Sequence, residues 1–221
     1  MSNEYIKKIE LEKLVENSEH ILEVNLDLVD RLKDLDLSGL SIVGIKSNAF
    51  ECLRNLLLLD LKKNRIRKLN RKTFQDLHNL KVLYIGSNEI SVLDESVFDG
   101  LVNLEVLSLG DNRINKMETN VFKSLINLKV LSLAKNELNT LNENTFEYLN
   151  SLLSLFLGKN LIKRLETKVF EGLINLKELS LSNNIIDDIG NDIFFSYFHL
   201  YNVSILWRPL LNYFFLLFNL I

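Results

Sequence analysis

The chain has 221 residues, room for one domain or one and a half. Hydrophobic residues make up 47% and charged residues 25%, a balance that excludes disorder as the main state. The net charge of −3, from 26 Lys and Arg against 29 Asp and Glu, argues against a general nucleic-acid binder, which is usually basic.

The N-terminus, MSNEYIKKIELEKL, is charged from its fourth residue and has no apolar run of the secretory type. Ile6, Ile9, Leu11 and Leu14 nevertheless follow an LxxLxLxxL spacing. Residues 1–28 read as a degenerate first repeat, with an amphipathic helical cap as the alternative.

From Val29 a strict period takes over. Asparagine falls at Asn64, Asn88, Asn112, Asn136, Asn160 and Asn184, in steps of 24. Phenylalanine falls at Phe50, Phe74, Phe98, Phe122, Phe146, Phe170 and Phe194, also in steps of 24. Seven such units fill residues 29–196. Within a unit, Leu107-Ser108-Leu109 alternates as a strand with one buried face does. One short strand cannot bury its own leucines, but parallel stacking lets each pack on the next. The asparagine follows where the chain bends inward, and its amide can satisfy backbone groups of adjoining turns. These side chains should be a structural spine, not ligand contacts. The ring ten residues later fills the space behind the strand layer. The first unit puts Leu40 in the asparagine slot, which places it near an end of the stack.

The segments LEVLSLGDNRI and LKVLSLAKNEL resemble the LxxLxLxxNxL motif of the leucine-rich repeat family. The length of 24 with a late Phe resembles its typical subtype, common in Toll-like receptor and Slit-type ectodomains. The resemblance covers Val29 to Ser196, 168 of 221 residues. It implies an α/β solenoid: a right-handed horseshoe with a parallel concave sheet and a convex face of loops or 3₁₀ turns. Extracellular members carry cysteine-rich caps, and Cys52, the only cysteine, cannot form an intrachain disulfide. Two expectations stay open. The chain is a piece of a larger cell-surface protein, or a cytoplasmic member with unusual ends.

Residues 197–221 begin as another repeat, with Leu200, Val203 and Ile205 in phase, and break at Arg208 and Pro209. The stretch is apolar. It reads as a cover over the solenoid end, a membrane anchor or an abnormal terminus. Asn202-Val203-Ser204 is a glycosylation sequon in an unfavourable place.

Chemistry is sparse. His20, His78 and His199 share no repeat column, so they build neither a metal cluster nor a base for a serine nucleophile. Cys52 sits in a slot filled elsewhere by Asp76, Gly100, Ser124, Tyr148 and Gly172, and reads as a plain turn residue. Gly86, Gly110 and Gly158 share a column and read as turn residues too. No cofactor, metal or catalytic residue is expected, and an enzyme is disfavoured.

What remains is the sheet face that the resemblance makes concave. One outward column reads Leu58, Val82, Val106, Val130, Ser154 and Glu178; the other reads Asp60, Tyr84, Ser108, Ser132, Phe156 and Ser180. Residues there vary without regard to packing, so specificity can be written there. Tyr84 and Phe156 are the hot-spot candidates. The apolar row suggests a partner surface, against the plain alternative that β-branched residues suit strands. Lys62, Lys63, Arg65, Arg67 and Lys68 form the one basic patch, first a solvated loop and second a means of steering an acidic partner. The expected function is a non-catalytic scaffold that holds a protein, not a nucleic acid, with membrane contact left open to the tail. The alternative is a piece of a receptor or adhesion ectodomain. Oligomeric state is open.

Overall fold

Every 24 residues the chain completes one coil and returns to a strand beside the last. The computed structural model describes residues 31–47 and 49–189, with the backbone of Asn202–Ser204. Eight strands form one sheet: β1 (Asp34–Asp36), β2 (Leu58–Asp60), β3 (Val82–Tyr84), β5 (Val106–Ser108), β7 (Val130–Ser132), β8 (Ser154–Phe156), β10 (Glu178–Ser180) and β12 (Asn202–Ser204). All neighbours pair in parallel with a register shift of one repeat, as Leu83 opposite Leu107 and Leu107 opposite Leu131. The central leucine of each strand points inward. Leu59, Leu83, Leu107, Leu131 and Leu155 are fully buried.

On the return side the chain makes i→i+3 turns of the 3₁₀ kind. Leu77 N–H donates to Phe74 O and Leu80 N–H to Leu77 O, and the same pair recurs in the other coils. Short parallel ladders join neighbouring coils there: β4 (Val92–Leu93) with β6 (Lys116–Met117), and β9 (Arg164–Leu165) with β11 (Asp188–Ile189). Among the described residues there is no α-helix.

Phe50, Phe74, Phe98, Phe122, Phe146 and Phe170 are buried and stack ring on ring. Centroids are 5.9 to 6.5 Å apart, with interplanar angles of 7° to 17°. Neighbouring strands stand only about 4.8 Å apart. Coils are therefore farther apart at the aromatic column than at the strands. The stack bends, and the sheet lies on its inner, concave side.

The asparagines make the spine expected of them. Asn136 donates from Nδ2 to Leu109 O (3.1 Å) in the previous coil and to Leu133 O (3.0 Å) in its own. Its Oδ1 accepts from Ile114 N–H at 2.9 Å. Asn88, Asn112, Asn160 and Asn184 repeat this pattern. Each asparagine thus holds the turn of the coil before it. Leu40 fits this logic: its own turn is held by Asn64, whose Oδ1 accepts from both Leu40 N–H and Ile42 N–H at 3.0 Å. A side chain at 40 would serve residues before 31, which lie outside the described part.

Just before each asparagine the backbone enters the left-handed region, at Lys63, Ser87, Asp111, Lys135, Lys159 and Asn183, with φ from 55° to 61°. The Gly86 column lies one residue before it. Glycine at 86 answers a different demand: a Cβ there would stand 2.9 Å from Gly110 O of the next coil.

The degenerate first repeat over 1–28, Phe194, His20, His199 and most of the 197–221 tail lie outside the described residues. Within the tail, Asn202–Ser204 pairs with Glu178–Ser180 in the same register as the strands before it.

Candidate binding face

Both outward columns lie on one side of the sheet. In β2, β3, β5, β7, β8 and β10 the central leucine is buried and its two neighbours are half-buried. Half-burial comes from close neighbours on adjoining strands, since the register sets each column in a straight row. Leu58, Val82, Val106 and Val130 are consecutive partners, and the row then turns polar at Ser154 and Glu178. The apolar stripe read from the sequence is thus a contiguous surface feature of four strands.

The second row is small in the middle and large at two points. Tyr84 and Phe156 stand three strands apart, with Ser108 and Ser132 between them. At about 4.8 Å per strand that is a separation of roughly 14 Å. Tyr84 has a cation over its ring. Lys62 Nζ lies 4.6 Å from its ring centroid, and the same ammonium is 3.0 Å from Asp60 Oδ2. Asp60 Oδ1 in turn accepts from Lys62 N–H at 2.9 Å. The sequence named Asp60, Lys62 and Tyr84 separately; the structure joins them into one cluster at the C-terminal ends of β2 and β3.

At the N-terminal ends of β3, β5 and β7, Glu105 binds Lys81 (3.2 Å) and Lys129 (2.7 Å), one on either side. Lys129 first, and then Lys81, hold the Glu105 carboxyl below the usual carboxylate range. This bridge across three coils was legible in the column Lys81, Glu105, Lys129, but only once the stacking was known.

A second asparagine ladder also escaped the sequence reading. Asn79, Asn103, Asn127 and Asn175 each donate from Nδ2 to a carbonyl 25 residues back, at 2.8 to 3.0 Å. Their 24-residue spacing was the available signal.

Among the described residues, no group of three or more His, Cys, Asp or Glu could hold a metal ion. His78 is exposed, with Nδ1 3.1 Å from Gly100 O, and Cys52 is exposed. No helix among the described residues is long and apolar enough to cross a membrane.

Stacked parallel coils, a buried leucine wall and an asparagine spine define a leucine-rich-repeat solenoid. The leucine rich repeat family matches at residues 30–80, 58–114, 102–162 and 154–200, and the chain belongs to that family. Two solved structures are similar. One is a TLR13–ssRNA13 complex, with TM-score 0.63 and 28% identity over 82% of this chain and 30% of that one. The other is an internalin (inlF) from Listeria monocytogenes, with TM-score 0.61 and 25% identity over 85% of this chain and 52% of that one. The chain thus spans about a third and about half of these two. No curated protein matches it.

One expectation is corrected here. The exclusion of nucleic acid, drawn from the net charge, does not stand, because a similar solenoid is seen in complex with single-stranded RNA. The physical reason is that net charge averages over coils. Residues 53–76 alone hold eight Lys and Arg against two Asp, a balance of +6 within a chain of −3.

Proposed function

We propose that the chain is a non-catalytic scaffold that grips a protein partner on the concave face of its sheet. The observation that carries this reading is the contrast between the two sides of the strands. In the eight-stranded sheet the inward side repeats leucine at each strand from Leu35 to Leu179, while the outward side varies from Asp34 and Asp36 through Tyr84 to Phe156 and Glu178. Residues free of packing constraint on a rigid support are where specificity resides. The apolar row gives area, and the two aromatics give anchors.

The same scaffold within a receptor or adhesion ectodomain is a second reading, favoured by the likeness to a much longer TLR13 chain.

The test is the double variant Tyr84→Ser, Phe156→Ser. Serine already occupies this column at Ser108 and Ser132, so the fold should accept it. Affinity capture from the protein's own cells should lose partners that the parent chain retains, with the melting curve unmoved. Retention of those partners moves the site off this face.

A further inference from the structure

The basic coil at residues 53–76 is more than a local excess. Three of its cations are neutralised: Lys62 by Asp60 at 3.0 Å, Arg67 by Glu89 at 3.2 Å and Lys68 by Asp94 at 3.7 Å. Lys63, Arg65, Arg71 and Lys72 are exposed and make no ion pair among the described residues. Nor does the preceding coil offer them an acid, since the matching positions there are Gly39, Ser41 and Ser47 for the first three. The following coil does carry acids, but Glu89 is shared with Arg67 and Arg113, and Glu95 is taken by Lys123.

These cations follow the chain round the coil. Lys63 stands in the turn that leaves the sheet. Arg65 and Arg67 are exposed while Asn64 and Ile66 between them are buried. Outward residues two apart in an extended chain are about 7 Å from each other, close to one nucleotide of an extended strand. Arg71 and Lys72 come next, on the turn before buried Thr73 and Phe74.

We propose that this coil is a track for the backbone of a single-stranded nucleic acid, with phosphates held by Lys63, Arg65, Arg71 and Lys72. The shape of the band selects the ligand. It bends from the C-terminal end of β2 to the return side, so a flat bilayer or a straight duplex reaches only part of it. A single strand can bend along it. The planar guanidinium groups of Arg65 and Arg71 suit phosphate oxygens, and contacts of this kind carry no sequence preference. The track lies off the concave face, so this inference stands or falls apart from the function proposed above.

The test is fluorescence anisotropy of a labelled oligothymidylate with the full chain over a range of salt. Each phosphate neutralised on a single strand contributes a slope of about −0.7 in log K against log salt, so four contacts predict about −3. The variant Lys63→Ser, Arg65→Ser, Arg71→Ser, Lys72→Ser uses residues found at the matching positions Ser87, Ser41, Ser47 and Ser96. It should bind about tenfold or more weakly at low salt, with a flattened slope and unchanged circular dichroism. The milder Lys63→Ser, Lys72→Ser pair should lose about half the slope, and it decides the matter if the fourfold variant does not fold. The Tyr84→Ser, Phe156→Ser variant should bind the oligonucleotide as the parent does. The proposal is overturned by absence of salt-dependent binding, or by charge variants that bind like the parent. It is equally overturned by tighter binding to duplex or to phosphatidylserine vesicles, or by polyglutamate displacing the oligonucleotide as well as unlabelled strand does.

Discussion

Asn136 shows how one side chain can hold two coils. It supplies donors to carbonyls in both and an acceptor to Ile114 N–H, all of them buried. Replacing it with Ala leaves Ile114 N–H unpaired, while Leu109 O and Leu133 O lose one donor each and keep the amides of Asn112 and Asn160. The unpaired N–H costs about 1–3 kcal/mol and each lost amide bond about 0.5–1.5 kcal/mol, so Asn136→Ala should lose at least about 2 kcal/mol in a denaturant titration. An unmoved midpoint contradicts the spine. Gly100 makes a subtler case. Its column holds Ser124 and Tyr148, and composition alone suggests that anything fits. Yet Gly100 has φ +93°, and a Cβ there would collide with Gln75 O. Gly100→Ser should therefore cost about 1–3 kcal/mol, although serine is native one coil later.

The second asparagine ladder has a gap. Asn127 and Asn175 reach back to Val102 O and Asn150 O, but Ser151 stands between them in sequence phase and makes no such bond. Ser151→Asn places an amide within reach of Ile126 O. A gain of about 0.5–1 kcal/mol is expected, read as a higher denaturation midpoint. The Glu105 bridge gives a prediction with pH. Its carboxyl is held below the usual range by Lys129 and Lys81, so the folded state binds its proton more weakly than the unfolded chain does. That contribution is present above the ordinary carboxylate range and is lost as pH falls through the lowered value. Glu105→Gln should make the acid limb of stability less steep, and an unchanged limb contradicts it. These features show what the sequence could and could not display. Leucine, phenylalanine and the first asparagine column announce themselves because packing allows one residue type at each. The Lys81–Glu105–Lys129 bridge does not, because its column also admits Leu57 and Leu153, and its meaning depends on which coils touch.

A stack in which each coil touches only its neighbours stores its stability locally. Phe122 sits between rings at 6.0 and 6.2 Å, on Phe98 and Phe146. Phe122→Ala should cost about 3–5 kcal/mol, and hydrogen exchange should show the loss confined to the coils around β5 and β7. The amides of β2 should keep their protection. Loss of protection throughout contradicts the nearest-neighbour picture. At this scale the class of fold was legible, since two residue types with one period admit few other folds. The kind of partner was not, because summed charge hides a coil of +6.

The difference in spacing between the strand wall and the aromatic column recurs at every step along the stack. Copying one 24-residue cassette would therefore lengthen the arc and leave its radius alone. The radius of the hollow is then dictated by the step from one buried ring to the next, and the length of its arc by the number of copies.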